Sequence, residues 1–107
     1  MKNINVVLSK ANLEARTATN NHLSRYGNHD LCGFAWVTVT KVRINSELGK
    51  QLVAAGFRKA YSGGLELWNP SNSHTQAITA KEKGAEAYAK VLRDELGVEA
   101  YASSRLD

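Results

Sequence analysis

The chain has 107 residues and a formal net charge of +4, with 43% hydrophobic and 22% charged residues, which are ordinary values for one globular domain. One proline and 8 glycines argue against a disordered or collagen-like chain. No apolar run approaches the roughly 18 residues of a membrane helix, and the apolar stretch at residues 4–8 is too short for a signal peptide. The single cysteine, Cys32, excludes an internal disulfide and a multi-cysteine zinc site, and it favours a reducing compartment.

The positive charge is concentrated in the first half of the chain. Residues 1–59 hold nine Lys or Arg against three Asp or Glu, whereas residues 60–107 hold five against seven. A basic excess of this kind favours contact with phosphate groups or another acidic partner. Solubility alone also explains a net charge of this size, so the two interpretations stay open.

The N-terminal segment, residues 1–30, is expected to be a helix followed by a loop. Residues 4–8 fit a short strand or the beginning of the helix, and Ser9 to about Tyr26 has weak helical periodicity. The paired Asn20 and Asn21 predict fraying of the helix before that loop.

The core is expected to cover residues 31–107, within one domain of residues 1–107. Leu31 to about Arg43 is the clearest strand, and because both of its faces begin apolar it is expected to be central. A helix capped by Ser46 follows from Glu47 to about Ala55. Phe57 to Trp68 is expected to be a hairpin with its turn at residues 62–64.

The strongest helix signal comes after a polar loop at residues 69–76. Thr79 and Glu82 match a capping box, and Gly97 is a fitting C-terminal stop. Val98 to Arg105 is then expected to close the chain as a strand. From residue 31 the elements run strand, helix, strand, strand, helix, strand. The sequence therefore predicts an α+β fold with the ferredoxin-like βαββαβ order, preceded by an extra helix.

The segment from Gly33 to Val39 resembles the first signature of the RNA-recognition motif, in which alternate aromatic residues on an open sheet face stack on unpaired bases. Phe34 and Trp36 would form that face here. Cys32 stands in place of the signature's basic residue, and Val39 in place of its last aromatic. A buried central strand explains the same residues without any ligand.

Two further features have functional and structural interpretations. The loop at residues 69–76 precedes a helix N-terminus, where free amides favour an anion, although Asn- and Ser-rich loops are also common on surfaces. Cys32 at the head of an apolar strand is expected to be a small buried residue rather than a nucleophile. The histidines have no metal-ligand spacing, so neither a metal nor a cofactor is expected.

The segments Cys32 to Val37 and Ala100 to Asp107, together with the Gly63-Gly64 pair, resemble a family of small proteins encoded by tailed bacteriophages. The resemblance covers about residue 31 to the end. It implies a phage or prophage accessory protein in the bacterial cytoplasm, and it implies no particular reaction. The other residues that match the pattern are Trp68, Gln76, Tyr101, Ser104, Arg105 and Asp107.

These observations predict a non-enzymatic binding module with no catalytic residues and no membrane contact. The first hypothesis is binding of nucleic acid or a nucleotide-like phosphate ligand, with an indole stacking on a base. The second is a protein-interaction module that inhibits or redirects a bacterial host protein through an exposed aromatic patch or an unpaired sheet edge, with a homodimer as one arrangement. The expected ligand-binding residues are Trp36, Trp68, Gln76, Tyr101, Ser104 and Arg105, and the expected phosphate contacts are Lys41, Arg43, Arg58 and Lys59.

Overall fold

The computed structural model describes residues 3–28, 30–61 and 63–107. Within these residues the fold is α+β, with three helices and one four-stranded antiparallel sheet. The elements in chain order are α1 (Ile4–Tyr26), β1 (Gly33–Thr40), α2 (Glu47–Ala54), β2 (Arg58–Lys59), β3 (Leu65–Trp68), α3 (Ile78–Leu96) and β4 (Glu99–Leu106).

The sheet has the spatial order β2-β3-β1-β4, so β1 is an inner strand, as its sequence predicts. Trp36 of β1 lies opposite Trp68 of β3 and opposite Ser103 of β4. Residues that lie opposite each other in a sheet project from the same face. This register therefore brings side chains from three strands to one surface.

All described helices contribute to a single core on one side of the sheet. Alternate residues of β1, namely Ala35, Val37 and Val39, are almost completely buried in that core. Helix α3 packs on β1 and β4, and α1 packs along α3. The opposite side of the sheet carries no helix among the described residues.

Helix α1 begins earlier and is longer than its sequence predicts. Asn3 caps it, because the Asn3 Oδ1 atom accepts hydrogen bonds from the backbone N–H groups of Asn5 (3.0 Å) and Val6 (3.3 Å). Val7 and Leu8 are buried in the core. The alternative of a short strand at residues 4–8 is therefore wrong. The helix also continues through the asparagine pair to Tyr26, because its packing on α3 outweighs the weak helical propensity of this segment.

Helix α3 does not begin with the predicted capping box. The helix starts at Ile78, and its N-cap residue, Ala77, has no side-chain hydrogen bond. Instead, Asp30 from the loop after α1 accepts a hydrogen bond from the Thr79 N–H with its Oδ2 atom (2.9 Å). Hydrogen bonds to the Thr79 side chain, to the Thr79 backbone and to the Leu31 backbone hold the pKa of Asp30 below its usual value of 3.8.

The other predicted helix ends agree with the structure. The Ser46 hydroxyl accepts a hydrogen bond from the Gly49 N–H (3.0 Å) and caps α2. Gly97 ends α3 in the left-handed conformation, with φ 66°. In the predicted hairpin turn, Ser62 lies outside the described residues. A Cβ atom at the neighbouring Gly64 would lie 2.6 Å from the Val39 carbonyl oxygen, so the close approach there requires glycine.

Candidate functional site

The surface of interest is the side of the sheet away from the helices, called here the open face. Strand β1 pairs with both β3 and β4, so its register determines which side chains of the three strands lie next to each other. The side chains that share this face by register are Phe34, Trp36 and Thr38 of β1, Glu66 and Trp68 of β3, and Tyr101, Ser103 and Arg105 of β4.

Three rings on this face form an aromatic cluster of Phe34, Trp36 and Trp68. The two indoles stack, with centroids 4.4 Å apart and an angle of 15° between their planes. Phe34 meets Trp68 edge-on, with centroids 6.0 Å apart. Phe34 is 37% exposed and Trp68 is 42% exposed, whereas Trp36 is partly covered between its neighbours. A connected group of exposed rings is uncommon on a monomer surface and marks a candidate binding surface.

Two cations flank the aromatic cluster. The guanidinium carbon of Arg105 lies 5.6 Å from the centre of the Phe34 ring and 5.7 Å from that of Trp68. The Nζ atom of Lys81 lies 5.6 Å from the Phe34 ring and donates a hydrogen bond to the Gly33 carbonyl (2.9 Å). Lys81 is only 8% exposed. Positive charge is therefore concentrated at the Phe34 end of the cluster.

A carboxylate lies at the other side of the cluster. The Glu66 Oε1 atom accepts a hydrogen bond from the Trp68 Nε1–H group (2.9 Å), which restrains the orientation of that indole. Arg58 is opposite Glu66 in the register of β2 and β3, so it shares the open face. The electrostatic character of the face thus changes from Arg105 on one side to Glu66 on the other.

The sequence-predicted ligand residues are only partly brought together. Trp36, Trp68, Tyr101 and Arg105 share the open face, and Tyr101 is 46% exposed. Ser104 projects to the helix side, where its hydroxyl donates to the carboxylate of Glu82.

Gln76 belongs to the loop before α3 rather than to the open face. Its carbonyl oxygen accepts a hydrogen bond from the Gly33 N–H (3.3 Å). In sequence Gln76 stands next to Ala77, which forms an isolated bridge with Cys32. Gln76 therefore has a backbone role in anchoring the beginning of β1.

The four basic residues expected to contact phosphate are dispersed. Arg58 shares the open face, but Lys59 follows it on a two-residue strand and projects to the other side. Lys41 forms a highly exposed ion pair with Glu99 (3.2 Å), and Arg43 lies in the turn before α2. Among these four, only Arg58 adds charge to the open face.

The structure decides one open interpretation and corrects one expectation. The N-terminus of α3 is not open to an anion, since the Asp30 carboxylate already accepts from the Thr79 N–H and the Leu31 carbonyl accepts from the Ile78 N–H (2.9 Å). Cys32 is exposed rather than buried. It precedes β1, so it lies outside the alternating pattern that buries Ala35.

Phe34 belongs to the stacking face that the RNA-recognition signature suggests, although it is not among the expected ligand-binding residues, and Lys81 is in neither group. Phe34 has a signal in the sequence, because it alternates with Trp36 on one predicted strand. Lys81 has none, since its proximity to Phe34 arises from the packing of α3 on β1. In the part of the chain that the structure describes, no three His, Cys, Asp or Glu residues cluster as metal ligands. No described helix is long and apolar enough to span a membrane.

Comparison with known proteins gives no match from which a function could be inferred, so the functional assignment rests on the geometry of the site. No protein-family model matches the chain, and no curated protein or solved structure is significantly similar to it.

Proposed function

We propose that the protein is a non-enzymatic module that binds single-stranded nucleic acid on the open face. The observation that carries this proposal is the exposed aromatic cluster of Phe34, Trp36 and Trp68 on a sheet face that none of the described helices covers. Aromatic side chains on an open sheet stack on unpaired bases, and such stacking tolerates any base because every base has a π face. Bases within a duplex are already stacked on each other, so single strands are the preferred ligand.

The charge distribution favours one path for the bound strand. Arg105 stands over two rings of the cluster, where its planar guanidinium is suited to phosphate and to stacking. Glu66 lies on the open face beside Trp68 and repels phosphate, whereas Glu99, on the same face, is paired with Lys41. The phosphates are therefore expected along the Arg105 side, with the bases directed across Phe34 and Trp68. Lys41, Arg43 and Lys59 would contribute only longer-range attraction.

The test is a titration of single-stranded RNA and DNA, with duplexes as a comparison, monitored by intrinsic tryptophan fluorescence. We expect quenching by single strands at low salt and a steep loss of affinity as salt rises. Trp68→Ala should weaken binding by about 5- to 150-fold, which corresponds to roughly 1–3 kcal/mol of base stacking.

Tyr26→Ala is the matched control, because it removes an exposed aromatic residue at the far end of α1. The control should bind like the unmodified protein. Failure of every single-stranded oligonucleotide to bind at low salt would refute the proposed function, as would equal losses from Trp68→Ala and Tyr26→Ala.

A second candidate, a protein-interaction module, is favoured by β4, which is an edge strand of eight residues. Asp107 donates from its N–H to the Cys32 carbonyl (3.0 Å), so odd-numbered residues at this end direct their backbone groups toward β1. Even-numbered residues consequently direct theirs outward, and Arg93 accordingly reaches the Ala100 carbonyl from outside (2.9 Å). Because Arg93 satisfies the Ala100 carbonyl, the outward groups left to pair with another strand are those of Ala102, Ser104 and Leu106.

The occupant that we propose for this edge is a second copy of the chain. Antiparallel pairing centred on Ala102 keeps the open faces of both copies on one side. It also places Glu99 of each copy opposite Arg105 of the other, which gives two complementary charge pairs. Ala102→Pro removes an outward N–H without disturbing the ladder to β1.

Light scattering should therefore show a dimer for the unmodified chain and a monomer for Ala102→Pro. A monomer in both cases, or a dimer in both, would contradict pairing through β4. Capture of a bacterial protein by the unmodified chain alone would assign the edge to a host partner instead.

The finer architecture and the biological setting are also proposals. The chain order β1-α2-β2-β3-α3-β4 and the sheet order β2-β3-β1-β4 support a ferredoxin-like core from residue 31, with α1 added on the helix side. The resemblance to tailed-phage proteins supports an accessory role in the cytoplasm of a bacterial host. Recovery from the cytosolic fraction of phage-infected or lysogenic cells is the expected result for that setting.

A further inference from the structure

The carboxylate of Glu66 is held at one edge of the aromatic cluster. Glu66 and Trp68 are two residues apart on β3, so both project from the open face. The Glu66 Oε1 atom accepts the hydrogen bond from the Trp68 Nε1–H group (2.9 Å), and the Glu66 side chain is half-buried. This bond fixes the carboxylate beside the indole, so it lies next to the edge of a base that stacks on Trp68.

This carboxylate can accept further hydrogen bonds. Its Oε2 atom has no hydrogen bond or ion pair with any residue that the structure describes. Arg58 lies opposite Glu66 in the register of β2 and β3, but the two side chains do not form an ion pair. An ionised carboxylate only accepts hydrogen bonds, and its two oxygens offer about four acceptor positions. Glu66 can therefore accept from a ligand without releasing Trp68.

The bases differ in what their edges offer to such an acceptor. The Watson–Crick edge of guanine has two adjacent donors, N1–H and the N2 amino group, which match the two oxygens of a carboxylate. Cytosine and adenine offer one amino group beside a ring nitrogen that is itself an acceptor. Thymine and uracil offer one N3–H group between two carbonyl oxygens, which repel a carboxylate. Guanine is therefore the best match for Glu66, and thymine and uracil are poor matches.

Arg105 and Glu66 give the cluster opposite charges at its two ends. Arg105 lies opposite Phe34 of β1, whereas Glu66 lies opposite Thr38, four residues further along the same strand. Both approach Trp68, because the guanidinium carbon of Arg105 is 5.7 Å from the centre of its ring and Glu66 binds its Nε1–H group. A nucleotide with its phosphate at Arg105 and its base on the ring consequently directs the far edge of that base toward the carboxylate.

We infer that the open face prefers single strands that contain guanine, and that Glu66 determines this preference by accepting hydrogen bonds from the guanine edge. The inference rests on the proposed function, to which it adds a base preference. Stacking on Trp68 holds any base, and the carboxylate then distinguishes among the stacked bases.

The experiment is a fluorescence titration of the full chain at low salt with three pentanucleotides of equal length and charge. These are d(TGTGT), d(TITIT) with inosine in place of guanine, and d(TTTTT). Inosine lacks only the N2 amino group of guanine. We expect d(TGTGT) to bind about 5- to 20-fold more tightly than d(TTTTT), in the lower part of the range for discrimination by paired hydrogen bonds, because Glu66 is partly exposed. The affinity of d(TITIT) should lie between the two.

Glu66→Gln tests the role of the carboxylate. The side-chain oxygen of glutamine can still accept from the Trp68 Nε1–H group, whereas the second acceptor oxygen and the negative charge are lost. The preference for d(TGTGT) over d(TTTTT) should disappear, and d(TTTTT) should bind as tightly as before or more tightly, because a repulsion of phosphate is removed. The indole Nε1–H signal of Trp68 in the NMR spectrum should stay close to its original position, which shows that the ring is still in place.

Glu14→Gln is the matched control, because it makes the same change at an exposed position of α1. It should keep the preference for d(TGTGT). Equal affinities of the three oligonucleotides for the unmodified protein would overturn the base preference and leave single-strand binding by the open face intact. So would an undiminished preference in Glu66→Gln, or an equal loss of affinity for all three oligonucleotides, since Glu66 would then only orient Trp68. Failure of all three to bind the unmodified protein would instead count against the proposed function itself.

Discussion

The indole of Trp36 stacks on the indole of Trp68, from the neighbouring strand, with a centroid separation of 4.4 Å. The strand register that makes these residues direct partners also places Arg105 beside Phe34 through β4. The cluster is therefore assembled from three parts of the sequence by the pairing of one central strand. Its rings are held by the sheet, so little ordering is needed when a flat ligand binds.

Two replacements of Arg105 should distinguish the contribution of its positive charge to oligonucleotide binding from the contribution of its planar guanidinium group. Arg105→Ala should reduce by about one the slope of log affinity against log salt for single-stranded oligonucleotides, because one phosphate contact is lost. Arg105→Lys should retain the slope but bind less tightly, since lysine lacks the planar group that stacks on Phe34 and Trp68. Lys50→Ala, on the exposed side of α2, serves as the control. An unchanged slope in Arg105→Ala would show that Arg105 does not contact phosphate.

The contact between α1 and α3 should be sensitive to one methyl group. A Cβ atom at Gly84 would lie 2.4 Å from the Thr19 Oγ1 atom and 3.2 Å from the Ala15 carbonyl oxygen. Thr19 is buried and donates from its hydroxyl to the Ala80 carbonyl (2.8 Å), so it cannot move without losing that bond. Gly84→Ala should therefore reduce the free energy of unfolding by about 1–3 kcal/mol, measured by urea denaturation.

The double variant Thr19→Ala with Gly84→Ala checks the cause of that loss. Removal of the threonine side chain makes space for the new methyl group, so the double variant should be less destabilised than the sum of the single changes. Additive losses would indicate that the collision with Thr19 is not the reason.

The ionised carboxylate of Asp30 at the start of α3 should make the stability of the fold depend on pH. The pKa of Asp30 is lowered, chiefly by hydrogen bonding to Thr79, so its ionised form is favoured by the folded state. Its stabilising contribution is present above the usual value of 3.8 and disappears as the pH falls through the lower pKa of the folded state. Asp30→Asn should consequently have a lower Tm at neutral pH, and the difference from the unmodified protein should shrink in acid.

Thermal melts of both proteins between neutral pH and strong acid provide the measurement. Glu14→Gln on the exposed side of α1 should follow the unmodified protein throughout. A Tm difference for Asp30→Asn that is constant over the whole range would exclude the charge of Asp30 as its origin.

Cys32 should react as an exposed thiol. A thiol reagent such as 5,5′-dithiobis(2-nitrobenzoate) is expected to label it stoichiometrically in native buffer, without denaturant. Cys32→Ser should change the free energy of unfolding by no more than about 0.5 kcal/mol, as is usual for a surface substitution. Labelling that requires urea would mean that the thiol is covered in solution.

The parts of the fold that sequence predicts well are those governed by local patterns. Alternation of Trp36 and Val37 identifies a central strand, Ser46 identifies a helix start, and Gly97 identifies a helix end. Each of these depends on backbone chemistry within a few residues. The position of the open face also follows in part, because Phe34 and Trp36 share one side of a strand.

The parts that sequence does not predict depend on contacts between distant segments. Asp30 caps a helix that starts 48 residues later, and nothing in the residues around Thr79 indicates this. Alternation along the predicted strand already separates Ser104 from Arg105, but the contact of Ser104 with Glu82 depends on the packing of α3 against β4.

Because buried and exposed side chains alternate along β1, the gene for this protein cannot gain or lose a single codon within this strand without disrupting the fold. Val37 is buried in the core while Trp36, the preceding residue, belongs to the opposite surface. Deleting or inserting one codon within this strand would exchange the two sets of side chains, placing an indole where a valine must fit and a valine where the ring stack was. A change in the length of β1 would therefore alter the core and the aromatic cluster at the same time. Evolution can consequently vary this strand by substitution far more readily than by insertion or deletion.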